Sequence, residues 1–223
     1  MDQMMVNENG GLNANVHPKV LRFFASFFSY LFHPLFMIAW VTLYLLFRNS
    51  IVFIGETSFE KLIVFLRVFS TSIFLPIVTV LLLKGLGFID SIQLHTQKDR
   101  IIPYVACITF FFWSFYVSKK IGDPSELTAF LLSAFIASSA SLIINNYMKV
   151  SMHAMGVGGL TAFFSLLLFA NRLDDVFSLL LVFLIAGITT TSRFIVSDHK
   201  PAEIAVGFVT GVLIQGITWF IIR

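Results

Sequence analysis

Between two apolar runs the chain reads Thr191-Ser192-Arg193-Phe194-Ile195-Val196-Ser197-Asp198-His199-Lys200-Pro201-Ala202-Glu203. Glu203 follows His199 by four residues, so a single helical turn brings its carboxylate to the imidazole and holds one ring tautomer. That is the geometry of an oriented histidine, the form in which an imidazole serves proton transfer. Arg193 stands at the edge of an apolar run and offers a planar fork of donors suited to phosphate oxygens. A charge in that position is costly without a partner. The same residues also make an ordinary helix start, with Pro201 at the first position and Glu203 in the first turn, where the helix dipole favours an acid.

Two further segments carry similar residue types. Lys149-Val150-Ser151-Met152-His153-Ala154-Met155-Gly156 opens another apolar run, with Ser151 and Lys149 adding donors beside His153. Gln97-Lys98-Asp99-Arg100-Ile101-Ile102-Pro103-Tyr104 brings two cations to the start of a third, and taken alone reads as a basic anchor at a membrane edge.

The elements that must position these segments follow from composition. The chain has 223 residues, 57% hydrophobic and 12% charged, with a net charge of +3. Globular proteins are roughly 25% charged, and so sparse a polar complement cannot cover a soluble body of this size. The chain reads as an integral membrane protein. Apolar runs occupy 21–47, 62–86, 101–118, 127–147, 154–170, 176–192 and 202–222. Helices are the economical way to cross, since open strand edges leave backbone groups unpaired in lipid. The expected fold is all-α, a polytopic bundle of six to seven transmembrane helices. Residues 1–19 form a polar tail without the marks of a signal peptide, and 20–223 a single membrane domain. The first run is broken by His33-Pro34 and is where a span is most easily miscounted.

The 27 phenylalanines measure lipid-facing and packing surface. Small residues at Ala154, Gly156, Gly158 and Gly159, and at Gly207 and Gly211, mark helices that approach closely. A single cysteine, Cys107, excludes an intrachain disulfide and a multi-cysteine metal site. The modest charge gives no sign of a nucleic-acid partner; membrane lipids are the expected surroundings.

An even number of runs separates Arg100 from His153, and His153 from His199, so all three segments emerge on one face. The opposite face receives 48–61, 119–126 and 171–175, which contain no histidine. Order, spacing and common face together resemble the type-2 phosphatidic acid phosphatase superfamily, membrane lipid phosphatases related to vanadium-dependent haloperoxidases. Its third motif is Ser-Arg, five residues, His, three residues, Asp. Ser192, Arg193 and His199 match, with Glu203 in place of Asp. The second, Pro-Ser-Gly-His, is matched at Ser151 and His153, with Val150 and Met152 replacing Pro and Gly. The first, Lys, six residues, Arg-Pro, is degenerate. With Arg100 as its arginine, position 93 is Gln, Lys98 is too close to be the aligned lysine, and the proline is displaced to Pro103. The resemblance covers roughly residues 95–210.

The resemblance implies a phosphatidic-acid-phosphatase-type core and hydrolysis of a lipid phosphate: phosphatidate, phosphatidylglycerol phosphate, a polyprenyl diphosphate or a similar molecule. His199, oriented by Glu203, would attack phosphorus and form a phosphohistidine. His153 would protonate the departing alcohol and then activate water. Arg193 and Arg100, with Lys98, Ser151 and Ser192, would hold the phosphate oxygens. No metal or other cofactor is implied, and Asp90, Asp99, Asp198 and Glu203 form no tight carboxylate cluster of the magnesium-binding kind.

Two other readings start from the same residues. One is a transporter in which Arg67, His33 and His199 line a path; the other is a non-catalytic, lipid-binding member of the phosphatase fold. Arg67 could also snorkel to the nearer interface, six residues from Lys61. The resemblance suggests a bacterial inner membrane with the site on its extracytoplasmic side. Positive charge does not decide the side: with Arg100 and Arg193 set aside as phosphate ligands, the two faces carry equal numbers of Lys and Arg. Neither substrate identity nor oligomeric state is legible.

Overall fold

A computed structural model describes residues 17–89, 100–197 and 199–223. Among them all regular structure is helical. The first apolar run, expected as one span, forms two helices, α1 (Lys19–Leu31) and α2 (Pro34–Leu43), the second continuing as a π-helical turn at Tyr44–Arg48. They are bent by 60° at the intervening break. Pro34 has no N–H and pushes the residue before it out of the helical region. His33 accordingly sits at φ −64° and ψ 140°, and its Nδ1 accepts the Leu35 N–H at 3.4 Å as the cap of α2.

The rest is a bundle of longer elements: α3 (Ser58–Phe69), a π-helical turn (Ser70–Phe74), α4 (Leu75–Gly85), α5 (Ile101–Ile121), α6 (Ser125–Ile144), α7 (Met152–Phe169), α8 (Val176–Val196) and α9 (Pro201–Ile222). Pro76 has no N–H to offer the Ser72 carbonyl, and the helix widens into the π turn just before it. Six stretches are long and apolar enough to cross a membrane: Ser58–Gly85, treated as one, and each of α5 to α9; the bent pair of α1 and α2 makes up to seven. The protein is thus a membrane helix bundle, with exposed apolar side chains such as Phe112, Trp113, Phe183, Leu213 and Phe220 around it.

Polar groups sort to the two ends. At one end Arg48 pairs with Asp175 at 2.6 Å, while Arg172 and Arg223 reach Glu126 at 3.4 and 3.2 Å. Arg67 belongs to the same end, bonded to Asp123 in the α5–α6 turn at 2.5 Å; Asp123 also accepts from the Ser118 hydroxyl. Arg67 therefore reaches a carboxylate that offsets its burial instead of standing alone among apolar helices. Gly122, left-handed at φ 82°, ends α5 and turns the chain so that Asp123 can do this. Beside this end lies the core: Leu45, Leu46, Leu127, Leu131, Phe163 and Leu167 are almost wholly buried.

The tightest packing is between α7 and α9. A Cβ on Gly158 would overlap the Phe208 carbonyl oxygen, and one on Gly211 would overlap that of Met155. One on Gly207 would lie 2.6 Å from the carbonyl oxygen of Ser151. Backbone therefore meets backbone, and it does so because these positions have no side chain. Substituting Ala at Gly158 or Gly211 is expected to cost about 1–3 kcal/mol through overpacking. Gly216→Ala has nothing within 4 Å to meet and is the control. Thermal unfolding in detergent checks this; equal midpoints for all three variants would contradict the close crossing.

Candidate functional site

The opposite end of the bundle gathers the sequence-predicted residues. His199 lies in the turn between α8 and α9, its side chain only 4% exposed. Its Nδ1 is 2.9 Å from Glu203 Oε2, in the first turn of α9. The same oxygen accepts the Lys200 N–H at 3.2 Å. Glu203 is thus both the ordinary helix cap and the partner of the imidazole. With Nδ1–H donated to the carboxylate, Nε2 carries the lone pair.

The site's second element is tied to this one through the backbone. The Ser151 N–H donates to the Glu203 carbonyl at 3.3 Å, next to the α7–α9 crossing. Ser151 itself is wholly buried, and its hydroxyl caps α7 by accepting the Ala154 N–H at 3.4 Å. Met152 and His153 follow in the first turn of α7. Arg100, just ahead of α5, donates to the Val150 carbonyl at 3.5 Å, which brings the third segment to the same place. The common face expected from counting apolar runs is therefore seen as direct contact among the three segments.

Two participants come from outside them. The His153 Nε2–H donates to the Ser29 carbonyl on α1 at 3.0 Å. Since a carbonyl only accepts, the His153 proton is on Nε2 and the lone pair on Nδ1. Arg193 Nη1 donates to the hydroxyl of the same Ser29 at 2.8 Å. The His33 ring stands edge-on to that of His153, with centroids 5.1 Å apart. Sequence reasoning gave Ser29 no role, because a serine inside an apolar run has no distinguishing spacing. It marked His33-Pro34 as a break in the first run; the structure has a bend there and sets the His33 ring against His153.

The remaining candidates fall differently. Ser192, 3% exposed on α8, lines a groove between α1 and α8. Lys98 lies outside the described residues, as do Asp90, Asp99 and Asp198. Among the described residues, no three His, Cys, Asp or Glu side chains converge in a way that could hold a metal ion.

The field at His199 is set by opposing causes. Burial pushes its pKa below the ordinary value of 6.5; the bond to Glu203 pulls it up, and the nearby Arg193 and Arg100 guanidinium groups push it down again. The net shift is downward, so the ring is neutral at neutral pH. In an NMR titration the His199 midpoint is expected below 6.5, and lower still in Glu203→Gln, which removes the one cause that raises it. A midpoint unchanged or raised by that substitution would contradict the assigned contact.

No protein-family model matches the chain, no curated protein does, and no solved structure does.

Proposed function

We propose that this protein is a membrane phosphatase of the type-2 phosphatidic acid phosphatase kind, which removes phosphate from a lipid phosphate through a phosphohistidine on His199. The observation that carries the reading is the 2.9 Å bond from His199 to the Glu203 carboxylate, at a site with Arg193 from the same segment, Arg100 from another and a second histidine. A carboxylate on Nδ1 leaves Nε2 as the nucleophile and stabilises the positive ring that forms on attack.

In the first step, His199 Nε2 attacks phosphorus, an N–P bond forms and the P–O ester bond breaks. The departing alcohol oxygen takes a proton from His153 Nδ1, the ring nitrogen that does not face Ser29. For this step His153 enters protonated on both nitrogens, the second proton coming from the monoprotonated phosphate of the incoming substrate. In the second step, a water gives its proton back to His153 and attacks phosphorus. The N–P bond breaks, and phosphate leaves with His199 restored. Arg193 and Arg100 hold the equatorial oxygens, where charge is spread in the transition state. Ser151 contributes through its backbone, since its hydroxyl is engaged in the helix cap. The site faces the extracytoplasmic side of a bacterial inner membrane in this reading, and no metal takes part.

A transport path through Arg67, His33 and His199 draws no support from the geometry. Arg67 is paired with Asp123 at the end of the bundle away from the histidines.

Purified protein is expected to release phosphate from lipid phosphates with chelator present. His199→Ala should abolish turnover, and His153→Ala should slow it by about 10²–10⁴-fold. The kcat/KM should fall as pH drops through the lowered His199 pKa, because protonation removes the Nε2 lone pair. In Glu203→Gln that acid limb should move to lower pH while the maximal rate falls. Activity that requires magnesium, or that survives loss of His199, would sink the mechanism.

A further inference from the structure

Beside the site, α1 and α8 leave a groove of about 440 Å³. Phe24, Ala25 and Phe28 form part of one wall, and Phe183, Gly187 and Ser192 part of the other. The volume lies in the range of ligand pockets, roughly 300–1,000 Å³. On α8 the lining runs from Phe183 to Ile195, about 18 Å at 1.5 Å per residue. A long, apolar space of this kind fits an extended hydrocarbon chain.

What ties the groove to the chemistry is where its walls end. Phe28 precedes Ser29, Ser192 precedes Arg193, and Arg193 donates to the Ser29 hydroxyl at 2.8 Å. The apolar walls thus finish at a guanidinium. An occupant that satisfies both parts has a hydrocarbon tail and an anionic head. Gly187 keeps the space open: a Cβ there would meet nothing within 4 Å.

We propose that the groove between α1 and α8 holds one hydrocarbon chain of a lipid phosphate whose headgroup sits at Arg193. This rests on the phosphatase reading and adds to it the place of the tail. The bent helix α1 is then part of substrate selection: it forms one wall and supplies Ser29 to both Arg193 and His153. Chains that fill the groove bind; short chains leave apolar surface uncovered and bind less well.

The test uses the full chain in detergent micelles with dioleoyl phosphatidate and its dihexanoyl analogue, which share a headgroup. Gly187→Leu puts a side chain on the groove wall where a Cβ meets nothing within 4 Å; Gly216→Leu, on α9, where a Cβ likewise meets nothing, is the control. Gly187→Leu is expected to lower kcat/KM for dioleoyl phosphatidate by about tenfold or more, the scale of discrimination by apolar fit. It should leave the dihexanoyl rate essentially unchanged, and Gly216→Leu should alter neither. Equal effects on both substrates, or none, would overturn the groove assignment. In parallel, phosphatidate with a photoreactive acyl chain is compared with phosphatidylcholine bearing the same chains. Labelling of α1 and α8 should favour phosphatidate and be lost in Gly187→Leu; equal labelling by both lipids would overturn the assignment. If wild type hydrolyses neither phosphatidate, the reading of phosphatidate as substrate falls, and the labelling alone decides whether the groove takes a lipid phosphate.

Discussion

The site depends on the crossing of α7 and α9, where three glycines remove the side chains that would hold two backbones apart. Gly158, Gly207 and Gly211 each face a carbonyl of the opposing segment so closely that no Cβ fits comfortably. A helix pair in lipid gains little from hydrophobic exclusion, since the surrounding tails are as apolar as the side chains, and must rely on close packing. That closeness fixes the height of one helix start against the other. The Ser151 N–H can then reach the Glu203 carbonyl, and the segment carrying His153 sits beside the one carrying His199. Without the crossing, the two histidines would belong to separate helices with no shared geometry.

Scarce charge is used in two distinct ways at the two ends. Around Arg48, Arg67, Arg172 and Arg223, each cation faces a carboxylate, and these pairs brace the turns where helices reverse. At the other end the pattern changes. Among the described contacts, Arg193 donates to a serine hydroxyl and Arg100 to a backbone carbonyl, and Glu203 is turned to an imidazole. Burial, with the Arg193 and Arg100 guanidinium groups nearby, holds the His199 pKa below its ordinary value.

Much of this was legible in the sequence, for physical reasons that differ by residue. The apolar runs follow from what the bilayer excludes, and their parity put Arg100, His153 and His199 on one face before any contact was known. The bond between His199 and Glu203 was readable because i and i+4 are neighbours wherever the chain turns helically. The small-residue positions on α7 and α9 read correctly as close approach. Other features depend on tertiary geometry with no local signature. Ser29 reaches His153 and Arg193 across 124 and 164 residues of chain, and only the 60° bend at His33-Pro34 aims it there. Composition marked that break but could not say which way it turns. The burial of the Ser151 hydroxyl in a helix cap was likewise hidden, since Ser beside His reads equally well as donor or cap.

The central claim is that the His199 Nε2 becomes bonded to phosphorus during turnover. Rapid acid-free quenching after mixing with phosphatidate labelled in its phosphate, followed by peptide mapping under basic conditions, tests it directly. The account requires label on His199, labile to acid and absent in His199→Ala, and retained longer in His153→Ala, where the water-activating base is missing. Phosphate released at full rate with no label on His199, or label carried by another residue, would contradict it.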